Sequence, residues 1–94
     1  PLVEEATRLT PDNAEAWYKR GVVRQESGDV HAAAGDYTRS LELDPSNSRA
    51  YINRAVSWQH LGDYDRAIED CTRALEIDPD NIEARERLLR GNQV

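Results

Sequence analysis

The stretch Leu43-Asp44-Pro45-Ser46-Asn47 decides the fold, because the chain says it three times. Thirty-four residues earlier it reads Leu9-Thr10-Pro11-Asp12-Asn13, and thirty-four residues later Ile77-Asp78-Pro79-Asp80-Asn81. Sliding the chain by this step pairs residues 14–47 with residues 48–81. Gly28-Asp29 then falls on Gly62-Asp63, Ala33 on Ala67, Asp36 on Asp70, Thr38-Arg39 on Thr72-Arg73, and Leu41-Glu42 on Leu75-Glu76. A fixed period of this length marks a repeat architecture, in which stacked units bury a continuous core that no single unit could bury alone.

Each unit reads as two helices. The first spans 14–27 in unit one, with Ala16, Trp17, Gly21 and Arg24 at three- and four-residue steps. Gly28 ends it, since glycine accepts the left-handed conformation of a helix terminus. Asp29 caps the next helix, which runs through Ala33, Tyr37, Ser40 and Leu41 to Leu43. Asp44-Pro45 stops it, because proline has no amide proton and restricts the residue before it. Unit two repeats this with helices over 48–61 and 64–77. The linkers are short, so successive helices pack antiparallel. Leu2 to Leu9 reads as the end of a preceding unit (1–11), and residues 82–94 as a C-terminal capping helix whose Ala84, Leu88 and Leu89 cover the last unit. The fold class is all-α, a single 94-residue domain.

These residues carry a resemblance. The chain resembles the tetratricopeptide-repeat family, whose pattern is W-x2-L-G-x2-Y, then A-x3-F, then P. Unit one gives Trp17, Gly21, Ala33, Tyr37 and Pro45; unit two gives Tyr51, Ala55, Trp58, Ala67, Cys71 and Pro79. Arg20 and Arg54 depart from the pattern where it has Leu, and Arg24 where it has an aromatic. Their stems are expected to lie over apolar neighbours with the charged heads in water. Gly35 inside a helix costs ~1 kcal/mol relative to Ala.

The resemblance implies a right-handed superhelix with a concave side lined by each unit's first helix. It places groove-facing residues at Glu15, Tyr18, Lys19, Val22, Gln25 and Glu26 in unit one. In unit two they are Arg49, Ile52, Asn53, Val56, Gln59 and His60, and in the last helix Glu83, Glu86 and Arg87. Tyr18 and Ile52 stand out as exposed apolar contacts on a polar face. The expected function is a protein–protein interaction module holding a peptide or partner helix, as part of a scaffold or co-chaperone-like protein. The alternative is self-association, through an open N-terminal end, or a structural spacer module stacking end to end. Family members that clamp the C-terminal carboxylate of heat-shock chaperones need Lys, Asn, Asn, Lys and Arg at positions 18, 22, 53, 83 and 87. The chain has Tyr18, Val22, Asn53, Glu83 and Arg87, which matches two of the five.

Composition excludes other classes. The formal net charge is -6, which opposes nucleic-acid binding, where Lys and Arg must neutralise phosphates. No apolar run reaches the ~20 residues of a membrane span. Cys71 is the only cysteine, so no internal disulfide forms, and a reducing compartment such as the cytoplasm is compatible. It reads as a buried, inert thiol. His31 and His60 have no ligand spacing, and Asp78-x-Asp80 lacks the Gly and Glu of a calcium loop. No phosphate loop or nucleophile motif is present. No cofactor, metal or enzymatic activity is expected.

Overall fold

Three asparagines start three helices. Asn13, Asn47 and Asn81 each accept backbone N–H groups of the turn that follows: Glu15 and Ala16, Ala50, and Ala84. Such a cap supplies an acceptor to amides that have no intrahelical partner. Asp29 and Asp63 do the same for Ala32 and Arg66. The computed structural model describes residues 2–92, and its helices are α1 (Leu2–Leu9), α2 (Ala14–Glu26), α3 (Val30–Leu43), α4 (Ser48–His60), α5 (Tyr64–Ile77) and α6 (Ile82–Asn92). Pro1, Gln93 and Val94, the outermost residues of the expected domain and capping helix, lie outside the described residues.

Gly28 and Gly62 have φ of 91° and 81°. That conformation is open to glycine at no steric cost, and it turns α2 into α3 and α4 into α5 within three residues. Each helix packs on the next, and α2 also touches α4. The result is an elongated stack of 41 × 25 × 17 Å, a helical solenoid with no strand among the described residues.

Small residues set the helix spacing. Ala33, Ala50, Ala55, Ala74 and Ala84 are fully buried. Tyr37 is the largest fully buried side chain, and it lies against Gly21. A Cβ at Gly21 would stand 2.7 Å from Tyr37 Cε1. Unit two solves the same contact with the sizes exchanged: Ala55 packs with Ala67 and the smaller Cys71. Of the apolar residues expected under the capping helix, Ala84 is buried and Leu88 packs beside the Ala55 cluster. Leu89 is instead 56% exposed and does not cover the last unit.

The arginines that break the repeat pattern are partly buried, and their heads are paired rather than free in water. Arg20 donates from Nε and Nη2 to the two carboxylate oxygens of buried Asp36, at 3.0 and 2.8 Å. Arg54 makes the same fork with Asp70, at 2.8 and 2.7 Å. Arg24 adds contacts to Asp36 at 3.4 and 3.3 Å. In unit two the equivalent residue is Trp58, and its indole N–H donates to Asp70 at 2.9 Å. The departure at Arg24 therefore keeps the donor and changes only the side chain that carries it. The remaining Arg20 and Arg54 donors reach Thr7 and Thr38 on the preceding helices. Two-pronged, hydrogen-bonded geometry is what lets an ion pair persist away from water.

Candidate functional site

The first helices of the units, α2 and α4, run side by side and α6 follows them. Their shared face carries two adjoining concavities. One, of about 380 Å³, is lined by Val22, Gln25, Glu26, Tyr37, Asn53 and His60. The other, of about 40 Å³, is lined by Arg49, Ile52, Asn53, Asn81 and Glu83. Asn53 belongs to both, so they form one trough that crosses from the end of α2 to the start of α6.

The polar side chains of the trough are held in place. Asn53 donates from Nδ2 to the Tyr18 hydroxyl at 3.1 Å, and its Oδ1 makes no hydrogen bond among the described residues. Tyr18 packs its ring against Tyr37, centroids 5.9 Å apart. The Tyr37 hydroxyl donates to Gln25 Oε1, so the Gln25 amide N–H groups stay available. Burial raises the Tyr37 pKa well above the ordinary phenol range. Arg87 donates to Gln59 at 3.1 Å and to Glu83 at 3.2 Å. Lys19 pairs with Glu15 at 3.7 Å. Val22 and Val56 are half-buried.

Two of the expected contact residues behave differently from the sequence reading. Ile52 is only 2% exposed and packs in the core with Leu41, Tyr51, Ala74 and Ala84. The arrival of α6 over α4 covers it, so it shapes the trough from beneath. Tyr18 is half-buried and packs against the same core. The sites that sequence reasoning missed are Asn81 and Tyr37. Asn81 is a helix cap whose position places it beside Arg49, and its third recurrence in the repeat phrase is the signal that marks it.

A further concavity of about 310 Å³ lies between α3, α4 and α5, lined by Thr38, Arg54, Trp58, Arg66, Glu69 and Asp70. Its buried charges are already paired. Burial works against the Arg54 charge, but the hydrogen bond to Asp70 and the attraction of Asp70, Tyr51 and Glu69 together outweigh it, and its pKa rises. Arg66 lies 5.0 Å over the Trp58 ring. Cys71 is buried, and burial pushes its thiol up to about 11, so it is protonated and unreactive at neutral pH. No group of three or more His, Cys, Asp or Glu residues is arranged to hold a metal among the described residues. No described helix is long and apolar enough to cross a membrane.

Antiparallel helix pairs stacked along one axis, with a lined trough on the side of the first helices, define a helical-repeat protein of the solenoid class. The tetratricopeptide repeat matches residues 14–47 and again residues 48–81, and the chain belongs to the tetratricopeptide-repeat family. It is thereby a protein-interaction module. A comparison with curated protein sequences gives no match. Solved structures are similar over 97% of the chain. The tetratricopeptide domain of Arabidopsis OM64 aligns with a TM-score of 0.94 at 27% identity, over 75% of that chain. The first tetratricopeptide domain of Spaghetti (RPAP3), bound to the HSP90 peptide SRMEEVD, aligns at 0.94 and 24% identity over 72% of its length. MamA aligns at 0.94 and 23% identity, and the chain spans about half of it, 53%.

Proposed function

We propose that the trough across α2, α4 and α6 holds an extended segment of a partner protein. The observation that carries this reading is the pair of adjoining cavities joined at Asn53, floored by half-buried Val22 and edged by amides with unused hydrogen-bonding capacity. An extended chain presents N–H and C=O groups every ~3.3 Å, and a carboxamide can serve either. The Spaghetti neighbour, which carries a bound peptide, supports the same mode. The heat-shock carboxylate clamp is disfavoured, because Glu83 stands where that clamp has a cation and Tyr18 and Val22 replace its first two residues.

The test uses peptides selected from a random phage-displayed library on the intact domain. Val22→Arg or Val56→Arg fills the trough and should abolish their binding. Thr72→Arg, on the exposed face of α5, should leave it unchanged. Selected peptides that bind all three variants equally overturn the reading. α6 is proposed to cap the stack, with buried Ala84 closing it over α5.

Self-association is the second reading. It is favoured by Leu2 and Leu9 on α1, 84% and 65% exposed. Light scattering that shows a monomer at high concentration overturns it.

A further inference from the structure

The charges of the trough are not equivalent. Glu15 pairs with Lys19 at 3.7 Å, Glu83 with Arg87 at 3.2 Å and Glu86 with Arg90 at 3.7 Å, each on its own helix. Two groove charges make no ion pair or hydrogen bond among the described residues. Glu26 sits at the C-terminal end of α2, in the larger cavity beside His60. Arg49 sits at the N-terminal end of α4, in the smaller cavity with Asn53, Asn81 and Glu83, whose carboxylate is already paired with Arg87. The trough therefore has one free negative end and one free positive end.

We infer that the partner is an extended internal segment carrying a basic side chain for Glu26 and an acidic side chain for Arg49. This rests on the proposed use of the trough. The spacing follows from the helix. His60, which shares the cavity with Glu26, is eleven residues from Arg49 along α4, or about 16 Å at ~1.5 Å per residue. In an extended chain, side chains on one face recur at even steps, and a four-residue step covers ~13 Å; the length of the Arg and Glu side chains spans the remainder. A wholly basic segment, which the net charge of -6 would otherwise favour, leaves Arg49 opposed by a like charge. A wholly acidic one meets Glu26 in the same way. One guanidinium balances one carboxylate. A chain terminus that adds a second carboxylate beside Glu83 exceeds what Arg49 can neutralise, so the segment is internal.

Chain direction becomes a readout of the two charges. The probes are four fluorescently labelled peptides with blocked ends and a central Leu, whose terminal charged residues are separated by four positions: Arg first and Glu last, Glu first and Arg last, both Arg, and both Glu. Binding is followed by anisotropy at low salt, where screening is weakest. One of the two mixed peptides should bind about three- to tenfold more tightly than the other three, in line with two solvent-exposed ion pairs. In Glu26→Lys/Arg49→Glu the preference between the mixed peptides should reverse. Equal binding of all four, or an unchanged preference in the exchanged variant, overturns the inference while the trough remains a peptide site. Binding only by a free-acid version of a peptide overturns the internal-segment assignment. Binding of the probes that Val22→Arg leaves unchanged removes the trough reading itself.

Discussion

Gly21→Ala should destabilise the domain through one contact, and the second unit shows how to undo it. In a helix, Ala for Gly is worth ~1 kcal/mol in its favour. Here the new Cβ would lie 2.7, 2.9 and 3.1 Å from Cε1, Cδ1 and Cζ of Tyr37. The ring has little freedom to move, since it is fully buried, packed on Tyr18 and tied by its hydroxyl to Gln25. Overpacking of this kind costs ~1–3 kcal/mol, and three close contacts place it at the upper end. The net loss should be about 1–2 kcal/mol, a fall in Tm of roughly 5–15 °C for a domain of this size. Tyr37→Cys rebuilds the pairing of Ala55 with Cys71. In that background Gly21→Ala should stabilise by ~0.5–1 kcal/mol, so the double-mutant cycle yields a coupling of about 1.5–3 kcal/mol. The reciprocal arm is Cys71→Tyr, which Ala55→Gly should partly rescue. Urea unfolding followed by circular dichroism measures each corner. A Gly21→Ala penalty of the same size with Tyr37 and with Cys at position 37 refutes the reasoning.

Two other outcomes follow from the polar core and the thiol. Asp70→Ala leaves the Arg54 fork and the Trp58 N–H without an acceptor and should cost ~3–5 kcal/mol; Arg54→Leu/Asp70→Ala should be more stable than Asp70→Ala alone, and a double variant weaker than the single one contradicts this. Because folding holds the Cys71 thiol up to about 11, the native state keeps its proton where the unfolded chain loses it. Its contribution is intact below pH ~8.5 and declines as pH rises from there toward 11. The stability difference between wild type and Cys71→Ala should shrink over that interval, and native Cys71 should resist iodoacetamide at pH 8 until denaturant is added. Rapid alkylation of the folded domain counts against it.

The architecture was legible because its signals are local and recur. A glycine forced to positive φ, an asparagine that caps and a proline that stops each act within a few residues, and the period repeats them in register. The trough was legible only as a direction. Helical register says that Ile52 faces the groove side, but not that α6 comes close enough to bury it. The same limit applies to Leu89, whose apolar character gave no clue that it stays exposed. Arg20 and Arg54 were misread because each was judged alone. Both units hold an Asp sixteen residues after the Arg, at Asp36 and Asp70, and that recurring pair was the available sign of a buried fork. The free charges at Glu26 and Arg49 depend on side-chain reach on each helix, which spacing alone does not resolve.

Each buried carboxylate takes its nitrogen donors from the helix just before its own, within one 34-residue unit: Arg20 and Arg24 for Asp36, Arg54 and Trp58 for Asp70. Each unit therefore carries the cation that pairs its own buried carboxylate. Gene duplication or excision of a whole unit strands no ion in the interior, so arrays of this sequence type can grow or shrink during evolution without first repairing their electrostatics.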